Sequence, residues 1–292
     1  FATPLGIIRR RFMADRADHY PPGKLPVEVL DRLLDRLDRS DPRVLVGPRV
    51  GEDATVIDFG DSCLVAKTDP ITFATEEIGH YAVHVNANDI ATMGAVPRWF
   101  LPTLLLPDGS TDATLVERIF DSIHRATSEI GVTVCGGHTE ITVGLDRPIV
   151  VGQMLGEVPR EDLVESRNLR EGDRLLLTKG LGIEAAAIIA HEKEQELITA
   201  GIERSIVDRA KNYIREPGIG VSKEARIACD TGDIHAMHDP TEGGIATALR
   251  ELSIASGSGI RVDLRSLKVP EESRVLCEVF DLDTLGVISS GA

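Results

Sequence analysis

Asn88-Asp89-Ile90-Ala91-Thr92-Met93-Gly94-Ala95 closes a segment, residues 77–93, whose pattern predicts a helix stopped at Gly94, with Pro97 beyond it. Upstream, two strand-like runs at 55–59 and 63–67 flank Gly60-Asp61, a hairpin-type turn signal. Before them Leu30, Leu33, Leu34 and Leu37 recur at helical spacing. Downstream, 99–106 reads as an apolar strand. Residues 112–130 read as an amphipathic helix with Leu115, Ile119, Ile123, Ala126 and Ile130 on one stripe and Gly131 as its stop. Strands follow at 132–135 and 148–155, separated by a polar loop at 136–146. A charged, turn-rich stretch over 156–173 then marks a domain boundary. The second half opens with a strand at 174–179 and an Ala-rich helix at 184–192. Helices at 203–215 and 221–229, a turn at 236–244 and a helix at 245–255 come next. A strand at 260–264, a helix at 271–280 and a strand at 285–289 complete it. The two halves share a coarse order of strands and helices.

The 292 residues carry 47 acidic against 32 basic side chains, a net charge of −15, with 42% hydrophobic and 27% charged residues. That balance is of a globular chain with room for two cores, and it excludes a nucleic-acid backbone or an anionic membrane as main partner. It leaves an anionic small molecule open, because a divalent cation or a cradle of N–H groups reverses the sign locally. Only 4% of residues are aromatic, leaving no stacking platform for single strands. The cysteines, Cys63, Cys135, Cys229 and Cys277, form no C-x-x-C pair and read as reduced, mostly buried thiols of a cytoplasmic protein. No apolar run is long enough to span a bilayer. Because the chain begins at Phe1 and Met13 precedes a polar stretch, residues 1–12 are expected to be an upstream extension. Val287 to Ala292 reads as an element cut in mid-course, and the chain as a fragment.

Acidic residues fall at the ends of apolar runs: Glu52-Asp53 before the first strand, Thr68-Asp69 closing the second, and Asn88-Asp89 near a helix end. Carboxylates gathered at one sheet rim suit magnesium and a triphosphate, whereas each alone is an ordinary turn or cap residue. Gly136-Gly137-His138-Thr139-Glu140 follows a strand and would let backbone approach a phosphate. Gly180-Leu181-Gly182 lies between strand and helix, yet it is no Walker loop, and Ala185 stands where a dinucleotide fingerprint wants its third glycine. Asp239-Pro240-Thr241-Glu242-Gly243-Gly244 puts glycines at a helix start, where Asp and Thr either cap the helix or help it bind an anion. His80 and His84 are one helical turn apart, and His235 and His238 flank Met237. No histidine pair has a Cys or carboxylate at metal-ligand spacing.

Taken together, these blocks resemble the aminoimidazole-ribotide-synthetase-like (PurM-like) ATP-dependent superfamily. The carriers are Gly-Lys-Leu-Pro at 23–26, Glu-Asp-Ala at 52–54, Lys-Thr-Asp at 67–69, the Asn88–Ala95 block, Gly-Gly-His-Thr at 136–139 and Met-His-Asp-Pro-Thr-Glu-Gly-Gly at 237–244. The last resembles the hydrogenase-maturation carbamoyl dehydratase branch most closely. The resemblance implies an α+β two-domain PurM-like fold: an extension at 1–22, an ATP- and magnesium-binding domain at 23–157 and an α/β C-terminal domain at 158–292. It also implies a homodimer in which the N-terminal domains build a shared β-barrel. By position it makes Asp53, Asp69 and Asp89 metal ligands. Lys67, Thr68, Asn88, Gly136, Gly137, Thr139, Thr241, Gly243 and Gly244 would be nucleotide contacts, and Asp239 the catalytic group. His138 stands where the family usually has Asp or Glu, so one metal contact is missing or passes to Glu140. The hydrogenase-maturation enzyme ends in a thiocarbamate-carrying Cys that this sequence does not contain. The activity implied is ATP-dependent phosphoryl transfer to a substrate oxygen, the acceptor being a carbamoyl-type or other small molecule. A thiamine-monophosphate-kinase-like enzyme and a nucleotide-binding partner without turnover are the alternatives.

Overall fold

The computed structural model describes residues 20, 23–37 and 40–292, so the expected extension lies almost wholly outside the described residues. The first half is built on an eight-stranded sheet. Its spine is the antiparallel pair of β3 (Ser62–Ile71) and β8 (Ile149–Pro159), in register from Ser62 opposite Pro159 to Ile71 opposite Val150. Outside β3 lie β2 (Thr55–Asp58) and β1 (Val44–Val46). The far edge of β8 is shared by β4 (Val96–Phe100) and β5 (Thr103–Pro107), and these pair in parallel with β6 (Thr133–Val134) and β7 (His138–Thr142) respectively. The single strand expected over 99–106 is therefore two, broken at Leu101-Pro102, where Pro removes a donor from the ladder. The expected polar loop at 136–146 contains β7, whose exposed edge position lets it stay polar. Within one chain the sheet is open.

Helix α2 (Ile78–Thr92) lies on this sheet with every one of its residues buried. Such a helix must be covered on all sides. The sheet covers one, and α3 (Ala113–Ile130) covers a second, capped by Asp112 at 2.8 Å from the Leu115 N–H and stopped by left-handed Gly131. The close seating depends on two glycines of β8: a Cβ on Gly152 would come 2.3 Å from Asn86 Nδ2, and one on Gly156 2.3 Å from Ile90 Cγ2.

The second half is helical: α4 (Ile183–Glu192), α5 (Glu194–Thr199), α6 (Arg204–Asn212), α7 (Ser222–Thr231), α8 (Gly244–Ser256) and α9 (Glu271–Val279). Ala186, Ala190, Leu197, Val207, Ala210 and Leu276 form a core of its own. None of the strands expected at 174–179, 260–264 and 285–289 is found among the described residues. At 285–289 the reason is visible. The Leu285 carbonyl accepts from the Ala246 N–H at 3.1 Å and the Ile288 carbonyl from Ala185 at 3.3 Å, so this segment satisfies two helix N-termini instead of a ladder. At 174–179 no strand lies alongside, and Leu176 is 89% exposed.

Replacing Gly156 with Ala pushes a methyl into Ile90 and the Val96 carbonyl. We expect a loss of about 1–3 kcal/mol in urea unfolding, against no more than about 0.5 kcal/mol for Gly259→Ala, which meets open space.

Candidate functional site

Burying α2 takes Asn86, Asn88, Asp89 and Thr92 out of water, and each must find a partner inside the protein. Asn86 faces the sheet. Its Oδ1 accepts from the Asp69 N–H at 2.8 Å, and its Nδ2 donates to the Asp69 carbonyl at 3.2 Å and to Ala82 at 2.9 Å. This clamp fixes the end of β3. The period of two along β3 puts Lys67 and Asp69 on one face, and Lys67 Nζ lies 3.0 Å from Asp89 Oδ2 and 3.4 Å from Asp69 Oδ2. Thr92, one turn beyond Asp89, donates to Asp53 Oδ2 at 3.0 Å.

Asn88 faces the other way. Its Nδ2 donates to the Ile219 carbonyl at 2.8 Å and to Asp239 Oδ2 at 3.1 Å, and its Oδ1 accepts from the Val221 N–H at 2.8 Å. A second bridge joins the halves: His238 Nδ1 lies 2.6 Å from Asp53 Oδ1, and His238 Nε2 lies 3.0 Å from Glu251 Oε2. Lys24 adds a third, donating to Thr241 Oγ1 at 3.3 Å and lying 3.9 Å from Glu251.

The charges in this cluster are unequally placed. Burial pushes Asp89 well above the usual carboxylate range; Lys67 works against this, while Asp53, Asp69 and Asp239 reinforce it. Burial also opposes the Lys67 charge, but Asp89, Asp69 and Asp53 outweigh it and keep the ammonium protonated. His238 likewise overcomes burial through Asp53 and Glu251 and is pushed up to about 10. The same pairing holds Asp53 below its ordinary value against burial. Asp239 is pushed up to about 7 by burial, its bond from Asn88 only partly offsetting that. Among the described residues, buried Asp89 Oδ2 has the Lys67 ammonium, 3.0 Å away, as its partner and no other hydrogen-bond donor. A fully buried carboxylate oxygen in that state, among other oxygen donors, fits a hard divalent cation such as Mg²⁺.

Not every residue singled out from sequence joins this cluster. Thr68 lies between Lys67 and Asp69 and so turns to the opposite face, exposed. Gly136, Gly137 and Thr139 are exposed at the β5–β7 edge, three strand spacings from β3, or ~14 Å. Gly137 has φ +145, and a Cβ there would come 2.3 Å from the Pro102 carbonyl. His138 Nε2 pairs with Glu140 Oε2 at 3.0 Å, and Thr142 donates to Glu140 at 2.7 Å. Gly243 and Gly244 are left-handed, and Gly244 packs so closely that a Cβ would lie 2.5 Å from the Val287 carbonyl. The helix starts at Gly182 and Gly244 take protein partners, with the Gly182 N–H on Ser289 Oγ at 2.8 Å. Asn86, Thr92, His238 and Glu184 were missed by sequence reasoning. Thr92 and His238 lie inside motif blocks, at 88–95 and 237–244, where neither was given a role; Asn86 and Glu184 carried no signal.

Residues 51–158 match the N-terminal domain of AIR synthase related protein, and residues 170–292 match its C-terminal domain. The chain belongs to the AIR synthase related protein family. A putative hydrogenase expression/formation protein of Methanocaldococcus jannaschii is 28% identical over 281 residues, 94% of this chain and 79% of that one. The carbamoyl dehydratase HypE of Rhizobium leguminosarum is 28% identical over 250 residues, 83% of this chain and 68% of that one. Among solved structures, the hydrogenase maturation protein HypE in complex with ATP superposes with a TM-score of 0.61 at 26% identity, covering 88% of this chain and 71% of that one. Thiamine monophosphate kinase of Aquifex aeolicus superposes at 0.66 with 21% identity, covering 82% and 80%, and shares the fold. In this AIR synthase related chain the Asn88 and Asp239 blocks thus meet across the junction of the two matched domains.

Glu184, in the first turn of α4, accepts from the Ser290 N–H at 2.9 Å, and burial pushes its carboxyl up to about 8. A raised carboxyl favours folding fully below its unfolded value and loses that contribution as pH rises through the folded one. We expect Glu184→Gln to gain on wild type between pH 5 and 8.5, by at least about 1 kcal/mol, in unfolding midpoints taken across that range. A difference constant with pH contradicts the assignment.

Proposed function

We propose that this chain is an ATP- and Mg²⁺-dependent enzyme of the carbamoyl dehydratase type, activating a carbamoyl-type oxygen by phosphoryl transfer. The single observation that carries the reading is the convergence of Lys67, Asp69 and Asp89 within one salt-bridged group, with Asp53 and Asp239 acting on it electrostatically. The names and the ATP complex of relatives support the same branch. Asp53, Asp69 and Asp89 would hold the magnesium, which when bound neutralises phosphate charge and favours transfer. Lys67 supplies a fixed ammonium at the same rim, positioned for a phosphate oxygen. Asn88 holds Asp239 in place. Asp239, pushed up to about 7, is the group able to take a proton near neutral pH.

The acceptor's carbonyl oxygen forms a bond to the γ-phosphorus as the bond to ADP breaks. The carbon–oxygen bond then breaks, phosphate leaves and the amide nitrogen gives up its two protons, so a carboxamide and ATP yield a nitrile, ADP, phosphate and a proton. The exposed Gly136-Gly137-His138-Thr139 edge would take up the far end of the nucleotide, with Glu140 as the acid in place of His138. Thr241, Gly243 and Gly244 would close from the second half, in a cytoplasmic homodimer. Pairing of two open sheets would cover Val134, Ile141 and Val143, which are 45, 61 and 78% exposed. Among the described residues no helix is long and apolar enough to cross a membrane.

Calorimetry with a non-hydrolysable ATP analogue is expected to give Mg²⁺-dependent binding that Asp69→Asn weakens at least about tenfold, or 1.4 kcal/mol. ADP release should rise with a carboxamide-bearing peptide. Absence of binding, or Asp69→Asn equal to wild type, overturns the proposal. Release driven by thiamine monophosphate instead points to the kinase, and binding without turnover on any acceptor points to a partner protein.

A further inference from the structure

On the far side of α2 from the sheet, a second group of ligating side chains stands apart from the acidic cluster. His80 and His84 present one nitrogen each, and Glu129 of α3 a carboxylate oxygen, all within 4.8 Å of one another. The two rings are 4.2 Å apart. His80 Nε2 lies 3.0 Å from the Ile214 carbonyl, an acceptor only, so Nε2 carries the proton and Nδ1 keeps the lone pair. A metal-ligating histidine is held in the same way, by its second ring nitrogen donating to a carbonyl. His84 Nε2 is buried without a hydrogen-bond partner and lies 3.9 Å from Glu129 Oε2. Gly220 backs the other side of this ring, where a Cβ would come 2.6 Å from Nδ1. Glu129 is 56% exposed at its side chain and has the freedom to close the remaining gap. The group opens on a cleft of about 360 Å³ that Ser222 and Lys223 also line. Arg215, at the same cleft, is tied to Glu77 at 2.8 Å.

We propose that His80, His84 and Glu129 bind a borderline divalent transition ion of the Zn²⁺ class, with a coordination position left open to the cleft. Two imidazoles and one carboxylate are a donor set for such an ion and a poor one for Mg²⁺. The site has a structural consequence. His80, His84 and Asn88 follow each other at four-residue spacing on α2, and all three meet the 214–221 segment of the second half. An ion there would join α2, α3 and, through the His80 hydrogen bond, that segment, one turn from the residues that hold Asp239. This inference is independent of the proposed activity.

Co²⁺ serves as the optical probe, titrated into the metal-free full chain with Mg²⁺ in excess to occupy the acidic cluster. The expected result is about one equivalent bound with a four- or five-coordinate ligand-field spectrum that Zn²⁺ displaces. Glu129→Gln, a surface change that leaves the fold intact by circular dichroism, should weaken binding at least about tenfold. His84→Ala should abolish it, and Asp69→Asn should leave it unchanged. No saturable Co²⁺ or Zn²⁺ binding overturns the proposal. So does binding that survives Glu129→Gln at full strength, or that is lost with Asp69→Asn.

Discussion

The rest of the structure depends on burying one helix that is not apolar. Along α2, Asn86, Asn88, Asp89 and Thr92 are withdrawn from water together with the aliphatic side chains around them. A buried polar group without a partner costs about 1–3 kcal/mol, so each of these side chains dictates what must stand beside it. Asn86 demands the backbone of Asp69, and Asn88 demands the backbone of Ile219 and Val221. The sheet and the second half are thereby held to opposite faces of one helix, and the chemistry-bearing residues of both arrive at its C-terminal end.

That arrangement concentrates negative charge where little solvent screens it. Among the described residues, Lys67 and His238 are the cations that act most on Asp53, Asp89 and Asp239, and Lys67 also pairs with Asp69. The protein answers by pushing Asp89 and Asp239 toward their neutral forms and by holding His238 charged. A site built this way is poised for an added cation and for an anion that the cation can bridge. The net charge of −15 is otherwise a solvated coat that repels polyanions. A triphosphate carrying magnesium is a different ligand from a nucleic-acid backbone.

Much of this was legible in the sequence where the signal is local. The helix limits at Gly94 and Gly131, the 55–59 and 63–67 hairpin and the apolar stripe of 112–130 all rest on periodicity and turn chemistry, and the structure has them. What depended on distant partners was not legible. The 285–289 run looks like a strand until the helix starts at Ala185 and Ala246 claim its carbonyls. Thr68 stands inside a motif block, yet the pleat turns it away from its neighbours. The histidine pair at His80 and His84 had no carboxylate at useful spacing, because Glu129 reaches it across the α2–α3 packing, where Gly79 lets the helices touch: a Cβ there would lie 2.7 Å from the Ile123 nitrogen. Likewise His238 was visible as a residue, but its place between Asp53 and Glu251 exists only once the halves meet.

In the proposed function, the acidic group around Lys67 receives the metal that accompanies a nucleotide. The most direct measurement is anomalous diffraction from crystals of the full chain grown with Mn²⁺ and a non-hydrolysable ATP analogue. The account predicts anomalous density within coordination distance of Asp69 and Asp89, with Asp53 released from His238 to join them and phosphate oxygens completing the shell. Absence of metal density at Asp69 and Asp89, with the Lys67–Asp89 pair undisturbed beside bound nucleotide, would contradict it.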